Sequence, residues 1–136
     1  MIEVYEHNGE GYLPCLIRND WQAALLNYAE AQDFVNIDKI EKHIQTDEVF
    51  VLLHGKAILI TADVTSETIR FELIKMKEGI IYNIPQGVWH NIAMDRDTRI
   101  FICENANTHL IDCSFLALSV EQQKEIYLEI MEKIIE

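Results

Sequence analysis

Side chains able to bind a metal or move a proton gather in two segments of this 136-residue chain. One carries Glu41, His43 and Glu48. The other reads Gly79-Ile80-Ile81-Tyr82-Asn83-Ile84-Pro85-Gln86-Gly87-Val88-Trp89-His90. Imidazoles and carboxylates hold divalent cations, and imidazoles also pass protons near neutral pH. In the second segment a strand runs into a Pro-x-Gly turn. Proline fixes φ and glycine permits a backbone conformation that other residues resist, so the following strand opens with His90 at a rigid position.

The elements that must position these residues are short. Glu48–Leu53 is a β-branched and aromatic run, His54-Gly55-Lys56 a tight turn, and Ala57–Thr61 a second run, which together predict a hairpin. Phe50 and Leu52 share one face of the first strand and Val49, Val51 and Leu53 the other, so both faces need cover from a second layer or a subunit. Further strands are expected at Thr68–Met76, Ile80–Ile84, His90–Met94 and Arg99–Glu104, a spacing that indicates an all-β sandwich or barrel. Asp20–Ala29 has helix-favouring Ala and Leu but reads as a strand in this setting, and Glu104–Thr108 reads as a turn. Ser119 and Gln122 form a capping box. Ile126, Tyr127, Ile130, Met131 and Ile134 then recur on one face, predicting a C-terminal amphipathic helix over about 119–135.

With these residues in place the sequence resembles the cupin superfamily, whose second motif reads G-x5-P-x-G-x2-H-x3-N. Gly79, Pro85, Gly87 and His90 match it, and Met94 stands where Asn is usual. The first motif, G-x5-H-x-H-x3-4-E-x6-G, is met at His43, Glu48 and Gly55, while Glu41 replaces its first His and Val35 its leading Gly. The resemblance implies a cupin-type double-stranded β-helix, or jelly-roll barrel, with a C-terminal α-helix: one domain over 1–136 with its barrel core at about 35–115. It also implies that His43, Glu48 and His90 point inward as ligands of a divalent metal (Fe, Mn, Ni or Zn), with Glu41 as a fourth. A carboxylate in place of a histidine makes the site harder and favours Mn or Fe. By strand parity Phe50, Leu52, Ile92 and Met94 would line the same pocket, joined by Tyr82, with Trp89 turned away. The residues also allow a hydrogen-bonded Glu48–His90 pair in an empty barrel, with Glu41 facing solvent.

Composition narrows the partners. The formal net charge of −12 opposes binding to nucleic acid phosphates or anionic membranes, leaving a small-molecule ligand, a metal cation or a second copy of the chain. Cys15, Cys103 and Cys113 are odd in number and form no CxxC pair, which argues against a disulfide framework. Without a leader-like N-terminus or a membrane-length apolar run, the chain reads as cytoplasmic. His54 is expected at an exposed turn, and His7 and His109 have no assigned role. Three functions fit: a metal-dependent enzyme acting on a small organic molecule, a non-catalytic small-molecule or sugar-binding module, and a structural homodimer, for which the resemblance to sheet-pairing cupins also speaks.

Overall fold

Period-two alternation of buried and exposed side chains makes strands of most of this chain. In the computed structural model, which describes residues 1–136, ten strands form two antiparallel five-stranded sheets. The first sheet is ordered β1 (Gly11–Ile17), β2 (Gln22–Asn27), β9 (Arg99–Glu104), β4 (Glu48–His54) and β7 (Ile81–Ile84). The second is ordered β10 (Ser114–Ala117), β3 (Lys39–Lys42), β8 (Trp89–Met94), β5 (Ala57–Val64) and β6 (Ile69–Lys75). The sheets face each other as an open sandwich; no ladder closes them into the expected continuous barrel. They also begin at Gly11, upstream of the expected core, because β2 turns Gln22, Ala24 and Leu26 inward and carries β1 on its free edge.

Two apolar cores result. Between the sheets lie Phe50, Leu52, Leu59, Ile84, Ile92, Met94, Ile100 and Ile102. On the far side of the second sheet, Ile40, Ile58, Ile60, Leu73 and Ala93 pack against Ile126 and Ile130 of the C-terminal helix α2 (Val120–Ile134). Each such Ile, Leu, Phe or Met side chain contributes about 1.5–3 kcal/mol of hydrophobic stabilisation. The helix starts where the sequence predicts: Ser119 Oγ accepts from the Gln122 amide, and the Gln122 side chain accepts from the Ser119 amide. No helix is long and apolar enough to cross a membrane.

Two turns fix the register that the site depends on. Gly55 closes the β4–β5 hairpin at φ +96°, and a Cβ there would stand 2.5 Å from Thr98 Oγ1. Gly87, at φ +77°, follows Pro85 in the turn before β8, and its amide donates to the His43 carbonyl at 2.7 Å. Asp47 accepts from the Gln86 amide and the Asn83 side chain, tying the same turn to the segment between β3 and β4. Both motif segments are thereby joined through the backbone.

Candidate metal centre

Cross-strand pairing brings the ligand-type residues together. Glu41 lies directly opposite His90 in the β3–β8 ladder, so both point to the same side of the second sheet. His43 follows two residues after Glu41, and Glu48 opens β4 on the facing sheet. One donor atom from each of Glu41, His43, Glu48 and His90 lies within 4.8 Å of all the others. His90 Nε2 is 2.8 Å from Glu48 Oε1, His43 Nε2 is 3.3 Å from the same oxygen, and Glu41 Oε1 is 3.9 Å from His90 Nε2. His43, Glu48 and His90 are buried, while the Glu41 side chain is 31% exposed at the edge of the group.

Backbone carbonyls aim both imidazoles. His43 Nδ1 donates to the Asp112 carbonyl at 2.6 Å, and His90 Nδ1 donates to the Val88 carbonyl at 2.9 Å. A carbonyl only accepts, so the proton of each neutral ring sits on Nδ1 and Nε2 turns its lone pair to the interior. Asp112 does a second job: its carboxylate accepts from the Ile44 and Gln45 amides and fixes the chain that carries His43.

Two imidazole lone pairs facing a carboxylate repel each other unless a proton or a cation lies between them. Without a cation the charges fall in the expected directions. Burial opposes charge on His43, but the neighbouring Glu48 and the Asp112 carbonyl outweigh it and lift the ring to about 9. His90 is raised in the same way, burial again losing to Glu48. Burial would raise Glu48, yet the two imidazoles pull it down to about 2. Even so, His43 Nε2 is buried without an aligned hydrogen-bond partner. The donors fit a divalent ion: bonds of about 2.1 Å place neighbouring ligands roughly 3 Å apart, close to the shorter separations here, and the N and O donor set suits Mn, Fe, Ni or Zn.

A cavity of about 270 Å³ opens beside this group. Phe50 and Ile92 line it, each two residues from a ligand-type side chain along its strand. Leu52, Tyr82 and Met94 do not; they pack deeper, in and against the core between the sheets. Parity placed them on the correct face, but Leu52 and Met94 stand four residues from Glu48 and His90, about 13 Å along the strand. Trp89 turns outward to the second core, and His54 is exposed.

The cavity also has residues that the sequence reading passed over. Glu104 is inside rather than in a turn: it continues the inward series of Ile100 and Ile102, a parity signal available in the sequence. Burial and the charge of Glu48 raise it to about 7. Tyr12 and the fully buried Gln22 contact it, and His109 and Cys113 line the rim, where Cys113 Sγ donates to Glu41 Oε2 at 3.0 Å. Burial and Glu41 push the Cys113 thiol up to about 12. His7 lies away from the cavity, bonded to the Gly11 carbonyl.

No family model matches the sequence, and no curated protein matches it. Solved structures do. A cupin-2 domain protein from Shewanella frigidimarina is 24% identical, with 73% of this chain and 84% of that one covered and a TM-score of 0.53. A conserved double-stranded β-helix protein from Klebsiella pneumoniae is 18% identical, with 84% of each chain covered and a TM-score of 0.53. A cupin superfamily protein from Desulfitobacterium hafniense is 17% identical over 78% of this chain and 84% of its own, also at a TM-score of 0.53. The chain therefore has the cupin fold, a double-stranded β-helix of two facing sheets completed by a C-terminal helix.

Proposed function

We propose that the protein is a metal-binding cupin in which His43, Glu48 and His90, with Glu41 at the edge, hold a divalent cation beside a pocket for a small organic molecule. The observation that carries this reading is the pair of Nδ1-to-carbonyl hydrogen bonds, which turns both Nε2 atoms onto one carboxylate oxygen. Two carboxylates beside two imidazoles favour Mn or Fe over softer metals. A bound ion would supply Lewis-acid polarisation of a ligand oxygen or a redox centre. The chain's own contribution is positional. Asp112 and Val88 lock the ring orientations, Glu41 opposes His90 across the ladder, and Phe50, Ile92 and Ile102 keep one side of the pocket dry.

Elemental analysis of purified protein tests the site. We expect close to one equivalent of divalent metal in the wild type, and His90→Ala should weaken its affinity by more than about 100-fold. A wild type with no metal above background and no uptake on titration would sink the reading. A small-molecule binder that needs no metal would instead keep its ligand-induced thermal stabilisation in chelator.

A separate observation supports a homodimer. On the outer face of the first sheet, Leu13, Leu25, Phe101, Val51 and Ile81 are successive cross-strand partners and form an apolar row over all five strands, about 19 Å long. Leu13 and Ile81 are exposed and the other three half-buried. A second copy laid on this row would give β4 cover on both faces. Sedimentation at micromolar concentration should give a dimer, and a monomer there would remove this reading.

A further inference from the structure

Glu104 is the buried carboxylate in the cavity that the proposed metal site leaves unused. Its side chain is only 3% exposed. Oε2 accepts from the Tyr12 hydroxyl at 2.5 Å and faces Gln22 Nε2 at 3.5 Å. Gln22 is in turn fixed by the Asn107 amide, which donates to its Oε1, and by contacts from its Nε2 to Tyr12 Oη and His109 Nδ1. Oε1 has no hydrogen-bond partner among the protein's own groups and lies 4.0 Å from His43 Nε2. A carboxylate oxygen buried without a partner in the protein is destabilising unless water or a ligand meets it, and holding the other oxygen in place aims the free one into the cavity.

The surroundings limit what that partner is. Lys39 is the only Lys or Arg lining the cavity, and its ammonium sits 4.7 Å from the Phe115 ring centroid, on the opposite sheet from Glu104. A ligand carboxylate placed against Glu104 would meet like charge with no cation on that wall. A hydroxyl fits because it donates to a carboxylate and accepts from a carboxylic acid, so it satisfies Oε1 with or without a proton on it. The cavity of about 270 Å³ holds a small molecule of roughly ten non-hydrogen atoms, since about 150 Å³ already takes a benzene ring.

We infer that Glu104, held by Tyr12 and Gln22, is a ligand-binding residue that pairs with a hydroxyl of a small hydroxylated carboxylate or carbonyl compound, whose other oxygens face the metal site and Lys39. This rests on the proposed metal site but makes a separate claim: Glu104 recognises the ligand and does not hold the ion.

The test uses Mn(II)-loaded protein with two three-carbon probes, glycerate and propionate, which differ in their hydroxyls. Titration calorimetry should show glycerate bound at least about tenfold more tightly. Glu104→Met should keep its Mn(II) content and reduce the advantage to within about twofold; Tyr12→Phe, which loosens Glu104, should reduce it partly. If Glu104→Met fails to fold, Glu104→Gln keeps the shape and should cut the advantage at least about threefold. Equal binding of the two probes, binding of neither, or an advantage unchanged in the variants overturns the inference. So does loss of metal from the Glu104 variants to the level of His90→Ala, which would make Glu104 a ligand of the ion. A wild type that retains no Mn(II) is detected before any probe is added and sinks the metal site instead; the same glycerate and propionate comparison on metal-free protein then decides the role of Glu104.

Discussion

The two sheets differ in how they are covered. The second lies between two cores, with the first sheet on one face and Ile126 and Ile130 of α2 on the other. The first sheet has a core on its inner face only, and its outer face carries the apolar row from Leu13 to Ile81. The candidate metal centre draws on both: Glu41, His43 and His90 come from the doubly covered side and Glu48 from the other. Three of the four ligand-type groups thus sit on or beside the sheet that a single chain covers on both faces.

The largest effect that sharpens this contrast is expected at α2. Ile130→Ala removes a fully buried side chain from the core outside the second sheet and should lower unfolding free energy by about 3 kcal/mol. Urea denaturation followed by circular dichroism should show this loss at every protein concentration. A loss below about 1 kcal/mol would mean that the helix is not what clamps the sheet.

The seam between the sheets gives an intermediate effect. In metal-free protein His43 titrates at about 9 rather than the ordinary 6.5, so its contribution to stability is complete below 6.5 and lost as pH rises through 9. Glu104, raised to about 7, acts in the same direction: its contribution is complete below 4.5 and lost as pH rises through 7. Glu48, lowered to about 2, contributes above 4.5 and loses that contribution only as pH falls through 2. Melting of chelator-treated protein should therefore fall by roughly 5 °C between pH 6 and pH 9. Metal-loaded protein should not follow, because deprotonated imidazoles are what the ion binds. Parallel curves for the two forms would break the link between these residues and the metal.

The smallest effect on the single chain is expected on the bare face. Val51→Glu lies in the apolar row and should change the stability of the monomer by no more than about 1 kcal/mol. Its readout is assembly: sedimentation should shift from dimer to monomer with the metal content unchanged. A variant that stays dimeric would place the contact elsewhere.

Much of this was legible in the sequence, for identifiable reasons. The Pro85 and Gly87 turn, the β4–β5 hairpin and the Ser119–Gln122 capping box are local signals, each written in residues that have few alternative conformations. β2 was legible only from its setting: its Ala and Leu fall on both faces and give no alternation to read, and a strand was what the surrounding β architecture required. β1, β3 and β10 were not: β3 and β10 have four residues each, and β1 contains Pro14 at a break in its register. Within the site, parity predicted the face of Leu52, Tyr82 and Met94 but carried no information on depth, which depends on where the opposing sheet ends. Glu104 hid because a polar residue at a strand end looks like the start of a turn. Gln22 and Tyr12 hid because their partner is 82 and 92 residues away.

The chain between β9 and β10 has two duties. It supplies the Asp112 carbonyl that orients His43, and it places His109 and Cys113 at the cavity rim. The same strap therefore both walls the pocket and steadies the imidazole. Under the proposed function, a substitution that displaced Cys113 would strain the His43–Asp112 hydrogen bond one residue away, so the shape of the pocket wall and the aim of the imidazole are set by one short piece of chain.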